Sequence, residues 1–127
     1  MRKQIVYTKN APAAIGPYSQ GVIIGNLLFT SGQIPINPAT GELVNDDIAM
    51  ATERVMENIK AILEEAGTTL ENVVKTTILL NDMNDFQKVN EIYGKYFTNE
   101  QPARSCFQAA KLPKDALVEI EVVAAIE

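Results

Sequence analysis

The last strand-like segment limits the fold more than any other feature. In residues 117–126 (LVEIEVVAAI), Val118, Ile120, Val122, Ala124 and Ile126 fall on one side of an extended chain. Leu117, Glu119, Glu121, Val123 and Ala125 fall on the other. The first side is wholly apolar and must be covered, and helices are the natural cover. The second side mixes apolar and acidic residues. That mixture suits a partly buried subunit interface better than open solvent. A strand of this kind belongs in a sheet with helices on one face and another copy of the chain against the other.

The remaining segments supply such a sheet. Residues 4–7 read as a short strand, and 9–20, with two prolines and a glycine, as an ordered loop. Residues 21–31 read as two strands joined at Gly25-Asn26, a pair that tolerates the positive φ of a tight hairpin turn. Residues 35–45 form a long turn. A helix is expected from Asp46 or Asp47, either of which can cap it, to Gly67, which can end it in a left-handed conformation. Ile48, Thr52, Val55, Met56, Ile59, Ile62, Leu63 and Ala66 make its apolar stripe. Residues 72–80 are β-branched and apolar, hence a strand. A second helix is expected from about Asp85, capped by Asn84, with Phe86, Val89, Ile92, Tyr93, Tyr96 and Phe97 on one side. Residues 103–110 and 117–126 read as two strands around a turn at Pro113 and Asp115. The order β, ββ, α, β, α, ββ implies an α+β fold, one sheet with both helices on one face, in a single domain spanning 1–127.

Composition removes several classes of function. The 127 residues contain no histidine and one cysteine. A Ser-His or Cys-His dyad, a His-ligated metal site, an intrachain disulfide and a Cys-cluster zinc site are therefore excluded. The net charge is −5, and no cluster of basic residues exceeds Arg2-Lys3. This disfavours nucleic acid as the main partner, because phosphate neutralisation needs a basic stripe. No stretch approaches the length of a membrane span or a signal sequence, so a cytoplasmic location is the expectation. Phosphate-cradling glycine loops are missing.

The chemically unusual cluster is Arg104, Cys106, Glu119 and Glu121. Alternation puts Arg104, Cys106, Gln108 and Ala110 on one face of their strand. The other set (Ala103, Ser105, Phe107 and Ala109) is smaller and more apolar and suits the helix side. On that assignment Arg104, Cys106, Glu119 and Glu121 share the face away from the helices. An arginine there offers a planar fork to a carboxylate, and a glutamate can act as general base toward water. An internal Arg–Glu ion pair is the plainer reading. If a hairpin turns around Pro113-Lys114, Arg104 lies opposite Val123 and Glu119 opposite Gln108, about 13 Å apart along the strand. Either the two do not cooperate, or a neighbouring subunit brings them together. Cys106 is a candidate nucleophile without a histidine to activate it, or simply a small strand residue. Tyr18, Ser31 and Asn90 read most simply as structural or solvated polar residues.

At these residues the chain resembles the RidA (YjgF) family of reactive intermediate imine deaminases. The resemblance covers nearly the whole sequence and rests on AIGPYSQG (14–21), FTSGQIPINPATGE (29–42), NEIYGKYF (90–97), PARSCF (102–107) and KLPKDALVEIEVVA (111–124). It implies a chorismate-mutase-like α+β fold, a single mixed sheet with two helices packed on one face. It further implies a homotrimer with a central sheet barrel and sites in clefts between subunits. The implied activity is hydrolysis of 2-imino acids such as 2-iminobutanoate and 2-iminopropanoate to 2-oxo acids and ammonia, with no cofactor and no metal. Position by position, Arg104 resembles the arginine that pairs with the substrate carboxylate, and Glu119 the acid that activates water. Cys106 resembles the cleft cysteine, a contact rather than a nucleophile. Tyr18, Ser31, Gly32 and Asn90 resemble cleft-lining residues. Phe107 departs from the smaller aliphatic residue common after the cysteine, and residues 98–102 form a shorter link than in some members. Relatives on the same scaffold include regulators, RNA-cleaving translation inhibitors and hydrolases of other small acyl or carbamoyl compounds, so a carboxylate-binding or regulatory role is the alternative.

Overall fold

The computed structural model describes residues 1–127. Strands β1 (Gln4–Val6), β2 (Gly21–Ile24), β3 (Leu27–Thr30), β4 (Val73–Leu80), β5 (Ala103–Gln108) and β6 (Val118–Ala125) form one sheet in the order β1-β2-β3-β6-β4-β5. All pairings are antiparallel except β4 with β5, so the sheet is mixed. Helices α1 (Ile48–Ala66) and α2 (Phe86–Tyr96) pack on each other and on one face. Neither is long and apolar enough to cross a membrane.

Local chemistry fixes the element ends. The Asp47 side chain accepts from the Met50 amide at 2.8 Å, capping α1. At the other end Gly67 takes φ 85°, and the Thr68 amide returns to the Leu63 carbonyl at 3.0 Å. In the β2–β3 turn only Gly25 has positive φ, at 59°; Asn26 does not. That places glycine at the first turn position, as a type II′ hairpin requires. The second helix starts differently from expectation. A 3₁₀ turn, Met83–Asp85, precedes α2, and Asp82 rather than Asn84 provides the cap by accepting from the Asn84 amide at 2.8 Å.

The expected β5–β6 hairpin is absent. Strand β6 lies between β3 and β4, and β5 is the sheet edge beyond β4. The reason is visible in burial: Val118, Ile120, Val122 and Ala124 are among the most buried residues, so β6 belongs at the sheet centre, whereas β5 buries almost nothing. The sequence strand–helix–strand of β4, α2 and β5 forms a crossover unit, which makes its two strands parallel neighbours.

This topology also reverses the assignment of faces in β5. Arg104 pairs with Thr76 and Cys106 with Ile78, and Thr76 and Ile78 are fully buried beneath the helices. Arg104 and Cys106 therefore lie on the helix side. Glu119 pairs with Leu79 and Glu121 with Thr77, on the opposite side. The apolar Phe107, expected inside, is 53% exposed on that opposite side. An edge strand lacks the covered neighbours that make alternation informative. The same face presents Ile5 and Phe29, both exposed in the single chain. The mixed second face of β6 is thus as expected.

The core includes polar side chains, and the largest of those fully buried is Asn58. Asn58 on α1 is fully buried, and its carbonyl oxygen accepts from Arg54 Nε at 3.2 Å and Nη2 at 3.0 Å. Its amide donates to the Ile36 carbonyl at 2.9 Å and, at 3.4 Å, to that of Ile34. Asn58 thus pins the 33–45 segment, one wall of the pocket described below, to α1. Asn58→Ala is expected to cost about 2–3 kcal/mol, because two loop carbonyls lose their donor. A denaturant midpoint unchanged from the wild type would contradict this role.

Candidate active site

The expected site residues fall into two groups on opposite faces of the sheet. The first surrounds Glu119. The segment after β3 continues beside β6, where the Gln33 amide donates to the Ile120 carbonyl at 2.8 Å and the Ile120 amide returns to Gln33 at 3.1 Å. This pairing presses Gly32 against Glu119. A Cβ at position 32 would overlap the Glu119 carboxylate, so the approach itself requires glycine. Tyr18, Ser31, Gly32 and Glu119 line an open pocket of about 550 Å³ with an apolar side that includes Ile34 and Ile36. The Ser31 hydroxyl donates to the Ser19 carbonyl, and the Ser31 amide to Gln20 at 2.9 Å. The Tyr18 hydroxyl accepts from the Ile15 amide at 3.3 Å.

Gln20 organises this wall, and sequence reasoning misses it. Its buried side chain accepts from the Thr8 amide at 2.7 Å and donates to the carbonyls of Thr8 at 2.9 Å and Pro12 at 2.8 Å. A glutamine in a proline-rich loop carries no periodic signal that marks it as interior.

Partial burial pushes the Glu119 carboxyl above its ordinary range, and the charge of Glu121 adds to the effect. The Glu119 carboxylate makes no ion pair and no side-chain hydrogen bond within the chain. A carboxylate that is poorly solvated and unpaired is a better proton acceptor than a free glutamate. Gly32→Ala is expected to displace Glu119 and lower turnover about 10- to 100-fold while the circular dichroism spectrum is kept. Full activity in this variant would show that the close approach is dispensable.

The second group surrounds Arg104. Its Nη1 donates to Asn90 Oδ1 on α2 at 2.7 Å. The guanidinium carbon lies 5.1 Å from the Tyr93 ring centroid and 5.4 Å from that of Phe86. Both contacts are cation–π attractions. Tyr93 is itself fixed by a 2.8 Å hydrogen bond with Thr76 in the sheet. No carboxylate lies in salt-bridge range of Arg104, and the only ion pairs are Lys88–Glu91 and Lys111–Asp115. The expected internal Arg–Glu pair is therefore not formed. Asn90, solvated on the plain reading of the sequence and cleft-lining by the resemblance, is the residue that holds the arginine. Cys106, half-buried beside it, has its thiol pushed up by desolvation, with the Arg104 charge opposing more weakly. A thiol kept protonated is a poor nucleophile.

Within one chain the two groups do not meet. Strand β4 separates β5 from β6, which puts Arg104 about 10 Å across the sheet and about 10 Å along it from Glu119, on the other face. The separation expected from sequence holds, for a different topological reason.

The family model described as Endoribonuclease L-PSP matches residues 8–126. The chain belongs to this family, which includes the RidA (YjgF) proteins. It is 52% identical over 122 residues to the 2-iminobutanoate/2-iminopropanoate deaminase of Escherichia coli, covering 94% of each chain. A solved Rid-family protein from Yersinia pestis superposes with a TM-score of 0.97 at 52% identity, covering 98% of this chain and all of that one. The crystal structure of E. coli TdcF with bound serine superposes with a TM-score of 0.93 at 44% identity, over 98% of this chain and 99% of that one. The single mixed sheet with two helices on one face is thus the family fold.

Proposed function

We propose that this chain hydrolyses 2-imino acids, such as 2-iminobutanoate and 2-iminopropanoate, to 2-oxo acids and ammonia. The site is a cleft between subunits of a homotrimer whose sheets meet as a central barrel. The observation that carries the reading is the state of Arg104. It is a guanidinium fixed by two aromatic rings and a neutral amide, with donors to spare and no carboxylate partner. Such a group suits an incoming carboxylate. The uncovered sheet face with Ile5, Phe29 and Phe107 supports assembly, and the separation of Arg104 from Glu119 calls for a second subunit. The serine bound in the TdcF structure is a small amino acid, of the same size and carboxylate class.

The chemistry then needs few parts. Arg104 holds the substrate carboxylate. Glu119 of a neighbouring subunit takes a proton from water as its oxygen bonds to C2 of the protonated imine. The proton passes to the amino nitrogen of the tetrahedral intermediate. Glu119, again unprotonated, takes the proton of the C2 hydroxyl as the C2–N bond breaks, ammonia departs and the ketone forms. A protonated imine is already electrophilic, so positioning and one base suffice. Tyr18, Ser31, Gly32, Asn90 and Cys106 line or support the cleft, and no cofactor or metal takes part in this scheme.

Threonine dehydratase acting on threonine supplies 2-iminobutanoate, and semicarbazide traps it. The protein is expected to lower semicarbazone formation. No effect from folded, assembled protein would contradict the reading. Ribonuclease activity, which the family description names, is the second reading. A chain of net charge −5 without a basic cluster is poorly suited to it, and cleavage of RNA without any effect on the imine would favour it. In the same assay Cys106→Ala is expected to keep activity within about threefold, consistent with a thiol that contacts rather than attacks. Near-complete loss would restore the nucleophile.

A further inference from the structure

Of the twelve residues lining the Glu119 pocket, only Glu119 and Lys114 carry charge. Lys114 also has an unusual backbone. It sits at φ 56°, ψ 23°, and Asp115 follows at φ 56°. Two successive non-glycine residues in the left-handed region are costly, and glycine or asparagine would be easier to place there. The surrounding turn enforces the conformation. Pro113 restricts the entry, and the Asp115 and Ala116 amides donate to Leu112 at 3.0 Å and Pro113 at 3.1 Å. Asn45 clamps the exit, donating to the Asp115 carbonyl at 3.1 Å and accepting from the Leu117 amide at 3.1 Å. Of the nearby cations, Lys111 is paired with Asp115 at 3.6 Å, whereas Lys114 has no acidic partner. Strain maintained at a pocket points to a task for the side chain.

We propose that Lys114 is a specificity-determining residue of the pocket, and that its ammonium draws the carboxylate of an anionic substrate past the negative field of Glu119 and Glu121. The proposal rests on the imino-acid reading above. A chain of net charge −5 repels a 2-imino acid carboxylate at long range, and a local cation at the rim offsets this. Arg104 then takes the carboxylate in its final position. Lys114 acts on capture, not on the bond-breaking step.

Lys114→Asn separates backbone from charge, since asparagine accepts the left-handed region and is neutral. The variant is expected to raise KM for 2-iminobutanoate about 5- to 10-fold with kcat within twofold. It is also expected to weaken binding of the stable product 2-oxobutanoate by a similar factor in calorimetry. The fall of kcat/KM with added salt should flatten. Lys114→Arg should restore both KM and salt dependence. Thermal stability of Lys114→Asn should hold or rise by about 3 °C, because the strain is relieved. Wild-type KM, product affinity and salt dependence in Lys114→Asn, with a wild type that turns over imine, would overturn the role of Lys114 alone. A wild type that neither hydrolyses imine nor binds 2-oxobutanoate would overturn the imino-acid reading and this proposal with it.

Discussion

Arg104→Ala is expected to lower kcat/KM for 2-imino acids about 100- to 1,000-fold, the cost of removing a bidentate, charge-assisted grip on a carboxylate. Most of the loss should appear in KM, with further loss in kcat because a loosely held imine no longer meets the water. The fold should survive. Arg104 lies exposed on an edge strand, and its intrachain partners are one amide oxygen and two ring faces. The variant leaves Asn90 accessible to water and opens no cavity in the core. Arg104→Lys should recover only part of the loss, since an ammonium cannot present a planar fork or stack on Tyr93 in the same way. Wild-type kcat/KM in Arg104→Ala, measured with the semicarbazide competition, would remove the arginine from the site.

Glu119→Gln is expected to reduce kcat about 100- to 10,000-fold with KM little changed, the range for loss of a positioned general base. Its stability follows from the direction of the Glu119 shift. Burial and Glu121 raise the carboxyl in the folded chain, so the fold favours the protonated form. That contribution to stability is complete below the unfolded value and is lost as pH rises through the raised folded value. At neutral pH the wild type carries a poorly solvated charge, and the neutral glutamine removes it. Glu119→Gln should therefore be inactive yet at least as heat-stable as the wild type, so unfolding cannot account for the loss. The same shift sets the acid limb of the wild-type rate profile. Activity should fall on acidification through a value above that of an ordinary glutamate, as the base becomes protonated. Normal turnover by Glu119→Gln would place water activation elsewhere.

Much of this molecule is legible in the sequence, and the illegible part has a common cause. Helix α1 is readable from Asp47 to Gly67 because capping and a 3.6-residue stripe are local signals. The two faces of β6 are readable because that strand is central and its alternation reports real neighbours on both sides. Strand order is not local. The short LPKDA link suggests a hairpin, but β6 takes the central gap between β3 and β4, leaving β5 at the edge. Alternation along an edge strand therefore points to the wrong face for Arg104 and Cys106. Polar residues that organise loops from the interior, Gln20 and Asn58, are invisible to hydrophobic patterning because nothing apolar marks them. The motifs around Arg104 and Glu119 identify the residues; only the topology shows that one chain holds them on opposite faces.

The central claim is that Arg104 and Glu119 act together across a subunit boundary, and mixed oligomers test it most directly. Arg104→Ala and Glu119→Gln chains, each inactive alone, are unfolded together, reassembled and assayed for competition with semicarbazide. In a cyclic assembly whose sites take one residue from each neighbour, random mixing restores about a quarter of the sites. The account predicts recovery of about a quarter of wild-type activity. Mixed oligomers as inactive as either parent would contradict it.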